Sequence, residues 1–304
     1  MKILMTGGTG FIGTGLVSAL KAQGYQITFA RSSARAHRGI EGVTIVGGDT
    51  SKPLWLQQVI AEQDSIINLA GSTIFRRWNQ SVKQDIYTSR ILPTRNIVEA
   101  LKTSGNKNKH FLSASGVGYY GYWKDELLSE ESSPGTGFLA RVAADWEHEA
   151  EKAKVYGTRV LLLRFGIVLG KKGGALRNML PFFKYWCGGS WGSGKQWFSW
   201  IHEDDLARAI SFLLQRQDIE GPVNITAPNP VTNREMSRAL RMALRRKTLL
   251  PVLPGFVIKA VLGEFSDVFL KGQRVVPRKL LANGFRFQYP QLEGCLSHLL
   301  DVSA

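Results

Sequence analysis

Short apolar runs and longer amphipathic stretches alternate along the first two thirds of the chain. Ile3–Thr6, Gln26–Ala30, Val43–Val46, Ser65–Leu69, His110–Ser115 and Arg159–Arg164 read as strands. Between them, Phe11–Ala22, Leu54–Ala61, Asn79–Lys102 and Gly137–Tyr156 read as helices. Strands separated by helices in this order predict an α/β fold with a doubly wound parallel sheet. Right-handed crossovers then place helices on both faces, and a ligand lies beyond the carboxyl ends of the strands.

The rhythm loosens after Gly166. The stretch Trp186–Trp200 sets five tryptophan and phenylalanine residues among glycines, which predicts a lid or a wall over a ligand. From about Leu249 the chain reads as a small, mainly helical lobe, with helices at Phe256–Leu262 and Val275–Leu281. A chain of 304 residues exceeds a typical single core, so a large domain with a smaller lobe is expected.

Composition narrows the classes. No apolar run reaches the roughly 18–20 residues that cross a bilayer. The opening MKILMTGGTG passes from a few apolar residues straight into glycines, as a first strand does and a signal peptide does not. Cys187 and Cys295 stand far apart, and the five histidines form no HxxH-type pair, so neither a disulfide framework nor a metal cluster is expected. A reducing cytoplasm fits. The net charge of +15 has two readings: a surface that attracts anionic small molecules, or one that meets nucleic acid or membrane. The absence of any helix-turn-helix, finger or RNA-binding signature favours small molecules. The densest basic stretch, Arg234–Lys247, reads as a helix with Arg238, Arg241 and Arg245 on a solvated face. Met236, Leu240, Ala243 and Leu244 form its core side.

The strongest chemical signal is Gly7-Gly8-Thr9-Gly10-Phe11-Ile12-Gly13, set between the first strand and the first helix. Gly7 permits the turn, Gly10 lets the backbone approach a pyrophosphate, and Gly13 lets the helix pack closely on the strand. The pyrophosphate would meet the free N–H groups at the helix start. At the end of the second strand stand Arg31 and Ser32, where NAD-selective proteins place an acid. Arg31 can pair with a 2′-phosphate, with Ser32 and Arg35 adding to it, so NADP is expected over NAD.

These residues make the chain resemble an extended short-chain dehydrogenase/reductase. More narrowly, it resembles the YfcH-like group of atypical members, labelled NAD-dependent epimerase/dehydratase or sugar-nucleotide epimerase. Further marks are Asn68–Gly71, Arg76-Arg77-Trp78, Ser89-Arg90, Ser113–Ser115 with Tyr119-Tyr120-Gly121, Leu163–Gly166, Gly192–Gly194, Trp200–His202 and Gly272–Arg274. The resemblance implies a Rossmann domain over residues 1–165, with core elements to about 226. Residues 166–304 would hold the substrate loop and C-terminal lobe, of which 249–304 is family-specific. It implies cofactor contacts at Gly7, Thr9, Gly10, Phe11, Ile12, Gly13, Asp49, Leu69, Ala70, Gly71, Arg90 and Ser113. Ser115 matches the catalytic serine. A polar, sugar-nucleotide-like substrate would lie between Arg76, Arg77, Trp78, Tyr119, Gln196, Trp197 and the C-terminal lobe.

One departure concerns the chemistry. Active members carry a tyrosine and a lysine four residues later, and the lysine lowers the tyrosine pKa. Here Tyr120 and Lys124 alone have that spacing, in the loop after the fifth strand and not on the helix that follows. That helix, from Phe138 to Glu147, has neither residue. Other acid/base candidates are Tyr119, Tyr120, His202 and the arginines. Tyr119 and Tyr120 could equally wall the pocket, and His202 could be structural, with Asp204 or Asp205 capping the next helix. Two functions remain open: an NADP(H)-dependent epimerase- or dehydratase-like oxidoreductase, or a catalytically degenerate NADP(H)-binding regulator or scaffold. The oligomeric state is not legible.

Overall fold

In the computed structural model, residues 1–31, 40–48, 52–103, 109–184, 189–246 and 252–301 are described. Seven parallel strands form one sheet: β1 (Lys2–Thr6), β2 (Gln26–Arg31), β3 (Val43–Gly47), β4 (Ser65–Asn68), β5 (His110–Gly116), β6 (Arg159–Phe165) and β7 (Gly221–Ile225). Their order is β7-β6-β5-β4-β1-β2-β3. The order reverses between β1 and β4, so the crevice for a ligand opens at their carboxyl ends.

The expected Rossmann-like α/β architecture is therefore present. Side chains alternate through the sheet: Ile3 and Met5 enter the core on one face, and Leu4 that on the other. Helices α1 (Phe11–Ala22) and α6 (Glu203–Gln215) cover the first face, supplying Leu16, Leu20, Ile210 and Leu213. Helices α2 (Pro53–Ala61), α3 (Gln80–Thr103) and α4 (Phe138–Glu151) cover the second. With both faces buried, the central strands need continuous apolar runs, which is why they are visible in the sequence, whereas β3 at the edge is partly exposed. The helix expected from Gly137 to Tyr156 is α4 followed by a tighter turn over Lys152–Tyr156.

The C-terminal region is helical but interleaved with short strands. It contains α5 (Gly174–Lys184), α7 (Asn233–Ala243), α8 (Gly255–Leu262), α9 (Asp267–Leu270), α10 (Arg278–Ala282) and α11 (Leu292–Leu299). Their core gathers Trp200, Met236, Leu240, Leu292 and Leu296. Two expectations need correction. The stretch Val275–Leu281 is not one helix: Arg274–Val275 pairs with Leu127–Leu128, and the helix starts after Pro277. The residue before a proline is biased to extended backbone, so Pro277 separates the two. The basic helix ends at Ala243. Arg245 is left-handed at φ 50, and the N–H groups of Arg245 and Arg246 turn back onto the carbonyls of Met242 and Arg241, closing the helix. No helix of the described residues is long and apolar enough to cross a membrane.

Candidate active site

The turn after β1 is built as the glycine spacing demands. Gly7 adopts φ +67, and a Cβ there would lie 2.5 Å from the Leu69 carbonyl oxygen at the end of β4. Gly13 presses α1 onto the turn, where a Cβ would lie 2.6 Å from the Gly8 Cα. Gly10 caps α1 without a side-chain hydrogen bond, and the first turn holds no acid. Thr9 and Gly10 are exposed. The first-turn N–H groups are thus left for an anion, and these residues fit a dinucleotide pyrophosphate. Leu69 and Ala70 follow directly, and Gly71 lies against the Arg90 guanidinium. Ser32, Arg35, Asp49 and the side chain of Arg31 lie outside the described residues.

A cavity of about 690 Å³ runs from Phe11 and Ile12 at the start of α1, past Ser115 at the end of β5, to α8 in the C-terminal region. Of the predicted residues, Phe11, Ile12, Arg90, Ser115, Gln196 and Trp197 line it together. Trp186 lies outside the described residues; from Ser190 onward the aromatic stretch is a wall rather than a free lid. Ser190–Trp191 pairs with Val252–Leu253, Trp197–Phe198 with Val231–Thr232, and Trp200–His202 with Ile167–Leu169.

Ser115 is not isolated. Its Oγ donates to Glu147 Oε1 at 2.6 Å. Glu147, on α4, receives two bonds from Arg164 on β6, Nε to Oε1 at 2.8 Å and Nη2 to Oε2 at 2.7 Å. All three are buried. Burial opposes the charge of Arg164, but the hydrogen bonds and charge of Glu147 outweigh it and hold its pKa above the ordinary arginine value. Sequence reasoning missed Glu147, although a carboxylate one turn beyond Ala143 on a buried stripe signals a paired charge.

Arg90 reaches the cavity from α3. It donates to the carbonyls of Ile86 (2.9 Å) and Ser72 (3.1 Å) and lies over the Trp146 ring at 5.3 Å. Burial lowers its pKa to about 10.

Other candidates are placed elsewhere. Tyr120 is fully buried and off the cavity wall. Its hydroxyl donates to Asn224 Oδ1 (2.7 Å) and accepts from Arg164 Nη1 (2.9 Å), and burial pushes its pKa up to about 12. Tyr119 is covered by the Arg164 guanidinium, 3.5 Å from its ring centroid. Ser113 is buried within β5. Arg76 pairs with Asp85, and the Trp78 indole donates to Ile74 O while its ring packs on Phe138 and Phe265. Arg76, Arg77 and Trp78 do not line the cavity. Among the described residues the tyrosine on the wall is instead Tyr122, which Gly121, at φ +65, separates from Tyr120. Burial, then the charge of Asp267, raises the Tyr122 pKa to about 12. Leu139 and Ala143, one helical turn apart on α4, both line the cavity.

His202 is off the cavity wall, and it rather than Asp204 or Asp205 caps α6: Nδ1 accepts from the Asp204 N–H at 2.9 Å. Nε2 therefore carries the proton and donates to His298 Nδ1 at 3.0 Å. Asp204 completes a grouping with metal-ligating reach, but both nitrogens of His202 are engaged. Asp205 instead accepts from the N–H groups of Gln288 and Tyr289, tying the C-terminal segment to α6.

Residues 3–226 match the sequence model of the NAD dependent epimerase/dehydratase family. Residues 253–299 match a domain of unknown function, DUF1731. The epimerase family protein YfhF of Bacillus subtilis is 38% identical over 307 residues, covering 99% of this chain and 98% of that protein. A chloroplastic epimerase family protein of Arabidopsis thaliana, an SDR39U1 homolog, is 39% identical over 304 residues, covering 99% of this chain and 87% of that one. The crystal structure of human epimerase family protein SDR39U1 with NADPH matches with a TM-score of 0.85 at 30% identity, covering 100% of both chains. UDP-glucose 4-epimerase of Thermus thermophilus, in complex with NAD, shares the fold at a TM-score of 0.76 and 21% identity, covering 100% of both.

Proposed function

The chain belongs to the NAD dependent epimerase/dehydratase family, and on that premise we propose that it is an NADP(H)-dependent oxidoreductase or epimerase acting on a small molecule. The observation that carries this reading is the cavity itself. It joins the start of α1 to the C-terminal region, so it offers room beside a cofactor for a second ligand. NADPH in the human relative and Arg31 at the end of β2 favour NADP over NAD.

The Gly7–Gly13 turn would hold the pyrophosphate, with Leu69, Ala70 and Gly71 alongside. When bound, the cofactor supplies hydride exchange with a carbon of the second ligand. Glu147 fixes the Ser115 proton, so Ser115 turns its lone pairs to the cavity and accepts a hydrogen bond from a ligand. Tyr122, with its pKa near 12, stays protonated at neutral pH and can donate to a ligand oxygen. Arg90 supplies positive charge. The walls exclude water around these groups.

A second reading, a cofactor-binding regulator, is favoured by one observation: Leu139 and Ala143 face the cavity without the tyrosine and lysine of active members. Calorimetric titration with NADPH and NADH, followed by NADPH oxidation against a panel of carbonyl compounds, separates the readings. NADPH binding with turnover of one compound supports the enzyme. NADPH binding with no turnover favours the regulator, and no dinucleotide binding overturns both.

A further inference from the structure

Resting on the reading that a second molecule enters this cavity, we infer that this ligand is a largely apolar, ring-containing molecule with one anionic group and one hydrogen-bond donor, and not a nucleotide sugar. Among the described residues of the wall, only Arg90 and Lys271 are charged, and both are cations. Lys271 Nζ is held by Asp267 at 2.9 Å. Arg90 donates to two carbonyls and weakly to the Ser89 hydroxyl, pairs with no carboxylate among the described residues, and keeps unused donors. One guanidinium without a carboxylate partner matches one anionic group. A nucleoside diphosphate brings two phosphates, and desolvating the second against an apolar wall has no compensating partner. Arg76 and Arg77, expected to hold such a group, are off the wall.

The neutral polar groups lead the same way. Ser199 Oγ donates to Gln273 O and accepts from the Val275 N–H, and Asn233 Oδ1 accepts from the Trp191 N–H. Gln196 donates from Nε2 to the carbonyls of Trp191 and Phe269, which leaves its Oε1 buried without a partner. That oxygen is sealed from the cavity, so the acceptor offered to a ligand N–H or O–H is Ser115 Oγ, whose own proton Glu147 holds. Trp191, Phe198 and Phe269 join the α8 residues Val257, Ile258 and Leu262 in a broad apolar wall, on which Tyr122, Thr136, Asn178 and Gln273 are neutral polar groups. Apolar side chains reach the rim as well: Phe75, Phe182 and Val261 line the cavity yet are 45%, 48% and 62% exposed.

The test uses anilinonaphthalene sulfonate, which carries fused rings, one anion and one N–H. It is titrated by fluorescence into the protein saturated with NADPH, with UDP-glucose as competitor. The expected result is one saturable site that UDP-glucose does not displace. Val257→Trp, which fills the apolar wall, and Arg90→Met should each weaken the probe at least about tenfold. Thermal unfolding checks that both variants fold, and Val257→Trp carries the test if Arg90→Met does not. Displacement by UDP-glucose, exclusion of the probe by NADPH, or unchanged probe affinity in folded Val257→Trp would overturn the inference. A protein that binds the probe at this wall but binds no NADPH defeats the function proposed above and leaves the ligand class standing.

Discussion

Ser115 Oγ and Glu147 Oε1 lie 2.6 Å apart, joining the end of β5 to the middle of α4 at the cavity wall. This bond ties the site to the interior. Glu147 is held by Arg164, Arg164 by Tyr120, and Tyr120 by Asn224 on β7. The Ser115 hydroxyl on the cavity wall is therefore oriented by a buried chain crossing three strands.

Removing the carboxylate from this chain should be severe. Glu147→Ala leaves Arg164 buried without a counter-charge, and breaking such a pair typically costs about 3–5 kcal/mol. Urea unfolding measures the loss. Glu147→Gln, which keeps an acceptor for Ser115, should lose less. Unfolding of Glu147→Ala within about 1 kcal/mol of wild type would show that solvent replaces the missing charge.

Two glycines near the start of α1 should respond in opposite directions. Gly7→Ala forces a side chain into a left-handed backbone and against the Leu69 carbonyl, a strain of about 1–3 kcal/mol before the clash is counted. It should also abolish dinucleotide binding. Gly15, exposed on α1 with nothing within 4 Å of a built Cβ, has no such constraint. Gly15→Ala should stabilise by about 0.5–1 kcal/mol. Paired thermal unfolding curves give both signs at once, and equal shifts would remove the special role of Gly7.

The sequence made the sheet legible because the central strands are buried on both faces and so are written as apolar runs, while β3, half exposed at the sheet edge, still shows Val43, Ile45 and Val46. The glycine turn was legible because its spacing has a mechanical cause. The C-terminal region was harder. Its two-residue strands pair across long separations, Val275 with Leu128 and Leu253 with Trp191, and two residues carry no period. Tyr120 and Tyr122 could not be told apart, since the reversal at Gly121 decides which one reaches the cavity. Nor could the Arg76 partner, Asp85, be seen from a loop that reads simply as basic.

Cofactor choice should turn on Arg31. A charge-assisted contact to a 2′-phosphate contributes about 1.5–3 kcal/mol, roughly a tenfold to hundredfold effect on affinity. Arg31→Ala should therefore weaken NADPH binding by that factor and leave NADH binding unchanged, as calorimetry would show. Parallel losses for both dinucleotides would place the arginine's effect on the turn itself.

Stability should fall in acid through His202. Burial, reinforced by the charge of His298, lowers its pKa to about 4. The unfolded chain titrates this residue near 6.5. Between those values the unfolded state holds a proton that the folded state does not, so stability drops as pH falls from about 6.5 towards 4 and is flat above that window. The contribution is on the order of 3 kcal/mol. His202→Asn keeps an acceptor to cap α6 but cannot titrate. The variant should be less stable at neutral pH, because stacking on Tyr289 is lost, yet show a shallower slope from pH 6.5 to 4. His110, also lowered by burial, contributes in the same sense and keeps the slope from vanishing. Urea midpoints across that range decide it, and an unchanged slope in His202→Asn would assign the acid sensitivity to other groups.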